Sequence, residues 1–204
     1  SLPYHGDKSS SPKTLTVASS GISIVNDTPH NYLEYSATDH GGSVYFGGGT
    51  REHLSTSLPA FGTQDFEVEF WIYGGALTSN TWYTLFSRDY NTAGSFRIYM
   101  SGSSNPGPDA LMYYPKGGFN NGIKSTSSGL IKDNVWNHVL LSRTSGTGKW
   151  FINGVEDISW SDTYDMDSTA TLYIGDTGAD ETYNSSYPLE GYMADIVIRI
   201  GGSG

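Results

Sequence analysis

The sequence predicts an all-β fold, a sandwich or barrel of short antiparallel strands, and three observations carry that expectation. Apolar residues recur with period two along most of the chain. Composition favours turns over helices: Gly is 26 of 204 residues, aromatic residues are 14% and charged residues only 16%. An Asn-Gly pair, Asn153-Gly154, stands between apolar runs, the signature of a tight hairpin turn.

The alternation is clearest in Phe66–Tyr73, where Phe66, Val68, Phe70 and Ile72 share one face. Glu67, Glu69, Trp71 and Tyr73 share the other, as in a strand with one dry side. Similar runs are Ser43–Phe46, Thr84–Ser87, Phe96–Met100, Ala110–Tyr114, Asn137–Ser142, Lys149–Ile152, Thr171–Ile174 and Met193–Ile200, each bounded by turn formers. Thr14–Val17 and Gly21–Val25 read as edge strands, and Ser55–Phe61 as at most one short helical turn. No composition shift divides residues 1–200, which read as a single domain. Residues 201–204, Gly-Gly-Ser-Gly, read as a linker-like tail.

Charge narrows the partners. The formal net charge is −10 and the 11 Lys and Arg are scattered. A nucleic-acid surface needs a basic footprint to replace phosphate counterions, so nucleic acid is not an expected partner. No stretch approaches the roughly 18 apolar residues of a membrane span, so membrane insertion is not expected either. There is no cysteine, which removes disulfides and thiolate metal sites. The N-terminus carries no signal-peptide pattern. Work outside a cell would therefore need another export route, carriage on a particle or prior trimming.

Segments in order along the chain resemble a known superfamily. They are Gly42-Ser43-Val44-Tyr45-Phe46-Gly47-Gly48, Phe61–Tyr73, Thr84-Leu85-Phe86-Ser87, Ile131–Val139, Phe151–Val155, Leu172-Tyr173-Ile174-Gly175 and Leu189–Ile196. Their order and spacing are similar to the concanavalin A-like lectin/glucanase superfamily, in particular its laminin-G-like branch found in phage virion proteins. The opening Leu2–Asp7 and Ser9–Pro12 resemble the start of such phage-borne domains. The resemblance implies a concanavalin A-like jelly-roll sandwich of two antiparallel sheets. Its implied setting is extracellular or on a virion surface, with glycan or other virion proteins as partners. Relatives often carry Asp after the Tyr-Phe pair, where this chain has Gly47.

The glucanases of the superfamily place carboxylates on alternate strand positions, Glu-x-Asp-x-(x)-Glu. This chain offers only Asp65-x-Glu67-x-Glu69. Alternate residues lie about 6.6 Å apart along a strand, and a retaining glycosidase needs a carboxyl pair about 5–5.5 Å apart. The order is wrong, and no Gly-x-Ser-x-Gly or His-Glu-x-x-His motif occurs. A non-catalytic role is expected. Calcium is an expected cofactor by resemblance, since laminin-G-like domains hold it at a rim with hard oxygen ligands. The candidate ligands are Asp176, Asp180 and Glu181, with Asp162, Asp165 and Asp167 as a second acidic loop. Sugar recognition needs aromatic planes beside polar groups. Loop aromatics in such settings are Trp82, Tyr90, Trp160, Tyr164 and Tyr183, with Tyr83 and Tyr187 adjacent. Trp71, Trp136 and Trp150 are expected to serve packing, and His138 a structural role.

These features predict a carbohydrate-recognition module. A virion decoration or assembly module binding only protein is the alternative, and a glycoside hydrolase a remote one.

Overall fold

In the computed structural model, residues 13–18, 21–25, 42–49, 51–74, 82–89, 92–102, 106–115, 122–177 and 187–201 are described. Among them every regular element is a strand. These are β1 (Thr16–Val17), β2 (Ile22–Val25), β3 (Ser43–Gly47), β4 (Leu54–Thr56), β5 (Phe66–Gly74), β6 (Trp82–Arg88) and β7 (Phe96–Ser101). They continue with β8 (Leu111–Tyr114), β9 (Lys124–Ser125), β10 (Trp136–Thr144), β11 (Thr147–Ile152), β12 (Val155–Ser161), β13 (Leu172–Ile174) and β14 (Glu190–Ile200).

They form two seven-stranded sheets, β1-β4-β13-β6-β7-β8-β9 and β12-β11-β10-β5-β14-β3-β2, with every strand pairing among the described residues antiparallel. This is the jelly-roll sandwich the sequence predicts. Three elements differ from the expectation. Residues 124–125 form the short strand β9, which the sequence reading does not include. Residues 54–56 are a strand where at most a helical turn was expected. The segment after the Asn-Gly turn continues as β12 through Ser161, where a loop was expected from Ser159.

One core lies between the sheets. From β5 come Phe66, Val68, Phe70 and Ile72, at most 2% exposed. The opposing sheet supplies Phe86, Phe96, Ile98, Leu111 and Tyr113. Phe61 stacks on Phe96 at 4.3 Å and meets Phe66 edge-on at 5.3 Å. Trp150 is fully buried, and its indole N–H donates to the Lys124 carbonyl at 3.1 Å, tying β11 to β9. Asn153 and Gly154 have φ of 52° and 79°. Positive φ at both positions is the type I′ requirement, so the hairpin forms as read.

Three arginines are fully buried, at 0–1% exposure: Arg88, Arg97 and Arg143. Arg143 donates to the carbonyls of Gly62, Gln64 and Tyr164 at 2.6–2.8 Å and approaches Asp162 at 3.4 Å. Its guanidinium lies 4.9 Å from the Phe66 ring centroid. Arg88 donates to the carbonyls of Leu58, Pro59 and Ser168, and burial lowers its pKa to about 10, which keeps it charged at neutral pH. Arg88 and Arg143 each gather carbonyls from separate loops, which satisfies acceptors that strands cannot reach.

His53 is also buried, edge-on to Tyr173 at 4.9 Å, and its Nδ1 has no hydrogen-bond partner among the described residues. Burial lowers its pKa below the ordinary histidine value; Asp176 opposes the shift and Arg51 adds to it.

Two measurements follow from this packing. Arg143→Leu leaves several carbonyls and Asp162 without their donor, so urea unfolding should show a loss of about 3–5 kcal/mol. Arg143→Lys should restore little, because an ammonium cannot reproduce the fork; a loss under about 1 kcal/mol for Leu would contradict the clamp. For His53 the unfolded state takes up a proton more readily than the folded one. Stability is therefore fully present above about pH 6.5 and falls as pH drops towards the lowered folded value. His53→Leu should flatten this acid-side slope in thermal melts; an unchanged slope would exclude His53 as its source.

Candidate functional site

The outer face of the β5 sheet follows from its register. Tyr45 of β3 pairs with Tyr192 of β14, Tyr192 with Tyr73 of β5, and Tyr73 with Trp136 of β10. Side chains directly opposite across antiparallel strands point to the same side. Four aromatic residues on four adjacent strands therefore form one row, each half-buried. Centroids are separated by 4.9 Å (Tyr45–Tyr192), 5.9 Å (Tyr192–Tyr73) and 5.6 Å (Tyr73–Trp136).

Two residues along β5, Trp71 pairs with His138, their rings 5.0 Å apart. His138 Nε2 lies 2.9 Å from Glu69 Oε1. Arg199 of β14 donates to Glu67 Oε2 at 2.9 Å and to Glu69 Oε2 at 3.3 Å. Leu140 and Phe151 sit beside Glu69 in register, and Lys149 pairs with Glu156 at 2.7 Å. The face thus grades from rings at one end of β5 to ion pairs at the other.

The expected glucanase-like carboxylates are placed accordingly. Glu67 and Glu69 do share the outer face, but one guanidinium bridges them, and Asp65 Oδ1 accepts the Ser145 N–H at 2.8 Å. A glycosidase acid must present its proton to a scissile bond. Here Glu67 and Glu69 face Arg199 and His138, an arrangement that supplies fixed charge and hydrogen bonds.

The loop aromatics fare differently. Trp82 opens β6 and is half-buried against Tyr187, Tyr99 and Tyr114 at 6.0–6.4 Å. Tyr99 and Tyr114 are only 2% and 1% exposed, with the Arg97 guanidinium over both rings. That cluster is consolidated packing on the outer face of the other sheet. Trp160 lies in strand β12, not a loop; its ring packs against Tyr113 and fills the space above Gly148. Tyr164 donates its N–H to Asp162, gives its carbonyl to Arg143, and lays its ring against Gly122. Tyr90 and Tyr183 lie outside the described residues. A polar groove beside β1 and β4 is lined, among the described residues, by Lys13, Thr14, Thr16, Ser55, Thr56, Ser57 and Thr171, none of them aromatic.

Of the expected calcium ligands, only Asp176 is described; Asp180 and Glu181 lie outside the described residues. Asp176 is fully buried. Its Oδ2 accepts the Arg51 N–H at 2.8 Å, and its Oδ1 accepts the Thr177 N–H at 2.6 Å. In the second acidic loop Asp162 faces Arg143, while Asp165 and Asp167 are exposed. Among the described residues no three His, Asp or Glu side chains cluster. The space beside Gly47 is filled by Glu52, whose Oε2 would lie 3.0 Å from a Cβ at that position.

The aromatic row was missed from sequence because strand-borne Trp71 and Trp136 read as packing. Only cross-strand register shows that Tyr45, Tyr73, Trp136 and Tyr192 line up; the outward alternation of β5 was the available signal.

Comparisons with known proteins agree with this architecture. A family model described as the concanavalin A-like lectin/glucanases superfamily matches residues 46–199. Sequence comparison with curated proteins returns no match. Among solved structures, domain 4 of AbnA, a GH43 extracellular arabinanase from Geobacillus stearothermophilus in complex with arabinotriose, is 19% identical with a TM-score of 0.60. That alignment covers 93% of this chain and 82% of the other. A heptameric SAP-like pentraxin from Limulus polyphemus is 16% identical at a TM-score of 0.58, covering 76% and 74%. The binding domain of botulinum neurotoxin DC in complex with SialylT is 16% identical at 0.69, covering 98% of this chain and 46% of that one. At such identities the likeness to these structures is one of fold. The family match spans most of the chain, which belongs to the concanavalin A-like lectin/glucanase superfamily.

Proposed function

We propose that the chain is a non-catalytic carbohydrate-recognition module. The observation that carries this reading is the half-exposed row Tyr45–Tyr192–Tyr73–Trp136, with Trp71, His138, Glu69 and Arg199 beside it. Aromatic rings take the apolar faces of sugar rings, and the neighbouring imidazole, carboxylates and guanidinium take hydroxyls. Single contacts of this kind are weak, so display in many copies would raise the effective affinity. Two of the solved relatives were determined in complex with arabinotriose and with SialylT, which supports the fold's suitability for saccharides.

Display at an extracellular or virion surface, with other virion proteins as neighbours, is an extension of this reading. It rests on the resemblance of the chain's opening, and residues 1–12 lie outside the described residues. The calcium expectation at Asp176, Asp180 and Glu181 is independent of the aromatic face. A rise in thermal midpoint on adding calcium, reversed by chelator, would support a folded-state site; an unchanged midpoint would count against it.

Affinity electrophoresis through a panel of neutral and anionic polysaccharides tests the main reading. Retardation by at least one polysaccharide is expected, and Tyr73→Ala or Tyr192→Ala should weaken it on the order of tenfold, about 1.4 kcal/mol. No retardation by any glycan, together with stable attachment to purified particles, would overturn it in favour of an assembly module. Release of reducing sugar that is lost in Glu67→Gln or Glu69→Gln would instead establish a glycosidase.

A further inference from the structure

The row on the β5 sheet has a direction, a step and a twist. Register places Tyr45, Tyr192, Tyr73 and Trp136 on β3, β14, β5 and β10, so the row runs across the strands. Strands are about 4.8 Å apart, close to the advance of one sugar unit in an extended chain. The ring planes turn by 44°, 88° and 62° from one residue to the next. Stacking on a crystalline polysaccharide requires coplanar rings, and these are far from coplanar. A single chain in solution can twist to follow them.

Charge and surroundings narrow the ligand further. Arg199 and His138 are engaged with Glu67 and Glu69, and Lys149 with Glu156. Arg199 and Lys149 on this face are thus each paired with carboxylates, and the chain carries a net charge of −10. A sulfated or uronic-acid polymer would meet repulsion there. Beyond Tyr45 the next register position is the small Ser23 of β2, so among the paired, described residues the row continues onto a small side chain at that end.

We propose that this face binds the interior of a single, soluble, neutral polysaccharide chain, laid across the strands so that successive sugar units meet successive rings. The proposal rests on the carbohydrate-recognition reading above and specifies its ligand.

The test is calorimetric titration with neutral oligosaccharide ladders of one to about six units (arabino-, xylo-, cello- and laminari-series), alongside crystalline cellulose and alginate. In at least one series, affinity should rise with length to about four units, one per ring, and then level off. Tyr45→Ala and Trp136→Ala, each confirmed folded by an unchanged melt, should each shorten the rise by about one unit. Trp136→Leu substitutes if the alanine variant does not fold. Full affinity for a monosaccharide, or tighter binding to crystalline cellulose or alginate than to the soluble ladder, would overturn the proposal while leaving glycan recognition standing. Length-dependent binding that neither variant alters would overturn the assignment to this face. Failure to bind any of these ligands, with no retardation by any polysaccharide, would overturn the recognition reading itself.

Discussion

Everything on the candidate face depends on the two-sided alternation of β5. The strand lies between β10 and β14 in the middle of its sheet. Its inward residues Phe66, Val68, Phe70 and Ile72 fill the core, and its outward residues Glu67, Glu69, Trp71 and Tyr73 are half-buried. A slip of one residue would drive two carboxylates into an apolar core and expose two phenylalanines. Burying an unpaired carboxylate costs several kcal/mol, so the register is strongly fixed. With β5 fixed, Tyr192 and Trp136 are brought beside Tyr73 by ladder pairing alone. Core packing and site geometry are therefore one constraint, read from opposite faces of the same strand.

The loops around this platform are held by buried guanidinium groups. Arg143 joins the Gly62–Gln64 turn to Tyr164, and Arg88 joins Leu58–Pro59 to Ser168. Such clamps need their acceptors complete, because a buried cation without partners is costly. Asp162 and Asp176, which sequence placed among possible calcium ligands, face Arg143 and the backbone N–H groups of Arg51 and Thr177. Two of the chain's acidic residues thus act as internal staples. A rigid scaffold of this kind holds the exposed rings in place before any ligand arrives, which lowers the ordering cost of binding.

The strands were legible because burial on one face leaves a period-two signal, as in Phe66–Tyr73. The Asn153-Gly154 turn was legible because few residue pairs accept positive φ twice. Less visible were β4, only three residues long, and the end of β12, where Ser159, Trp160 and Ser161 look like loop chemistry. The buried arginines were invisible for a different reason: a guanidinium satisfied by distant carbonyls leaves no local mark. The same holds for the aromatic row. Alternation tells that Tyr73 points away from the core, but not that Tyr192, more than a hundred residues later, lies beside it. The polar neighbours of Trp160 make it look like a binding residue in sequence, whereas its ring covers Gly148 and meets Tyr113.

Chemical-shift mapping would show directly which face of the sandwich meets a glycan. Isotope-labelled protein would be titrated with a soluble neutral oligosaccharide, and the amides of β3, β5, β10 and β14 compared with the rest. Perturbations should concentrate around Tyr45, Tyr73, Trp136, His138 and Tyr192, leaving Trp160 and the 162–177 segment quiet. Perturbations centred on Trp82 and Tyr187, or on the segment around Asp176, with the β5 face unmoved, would contradict it.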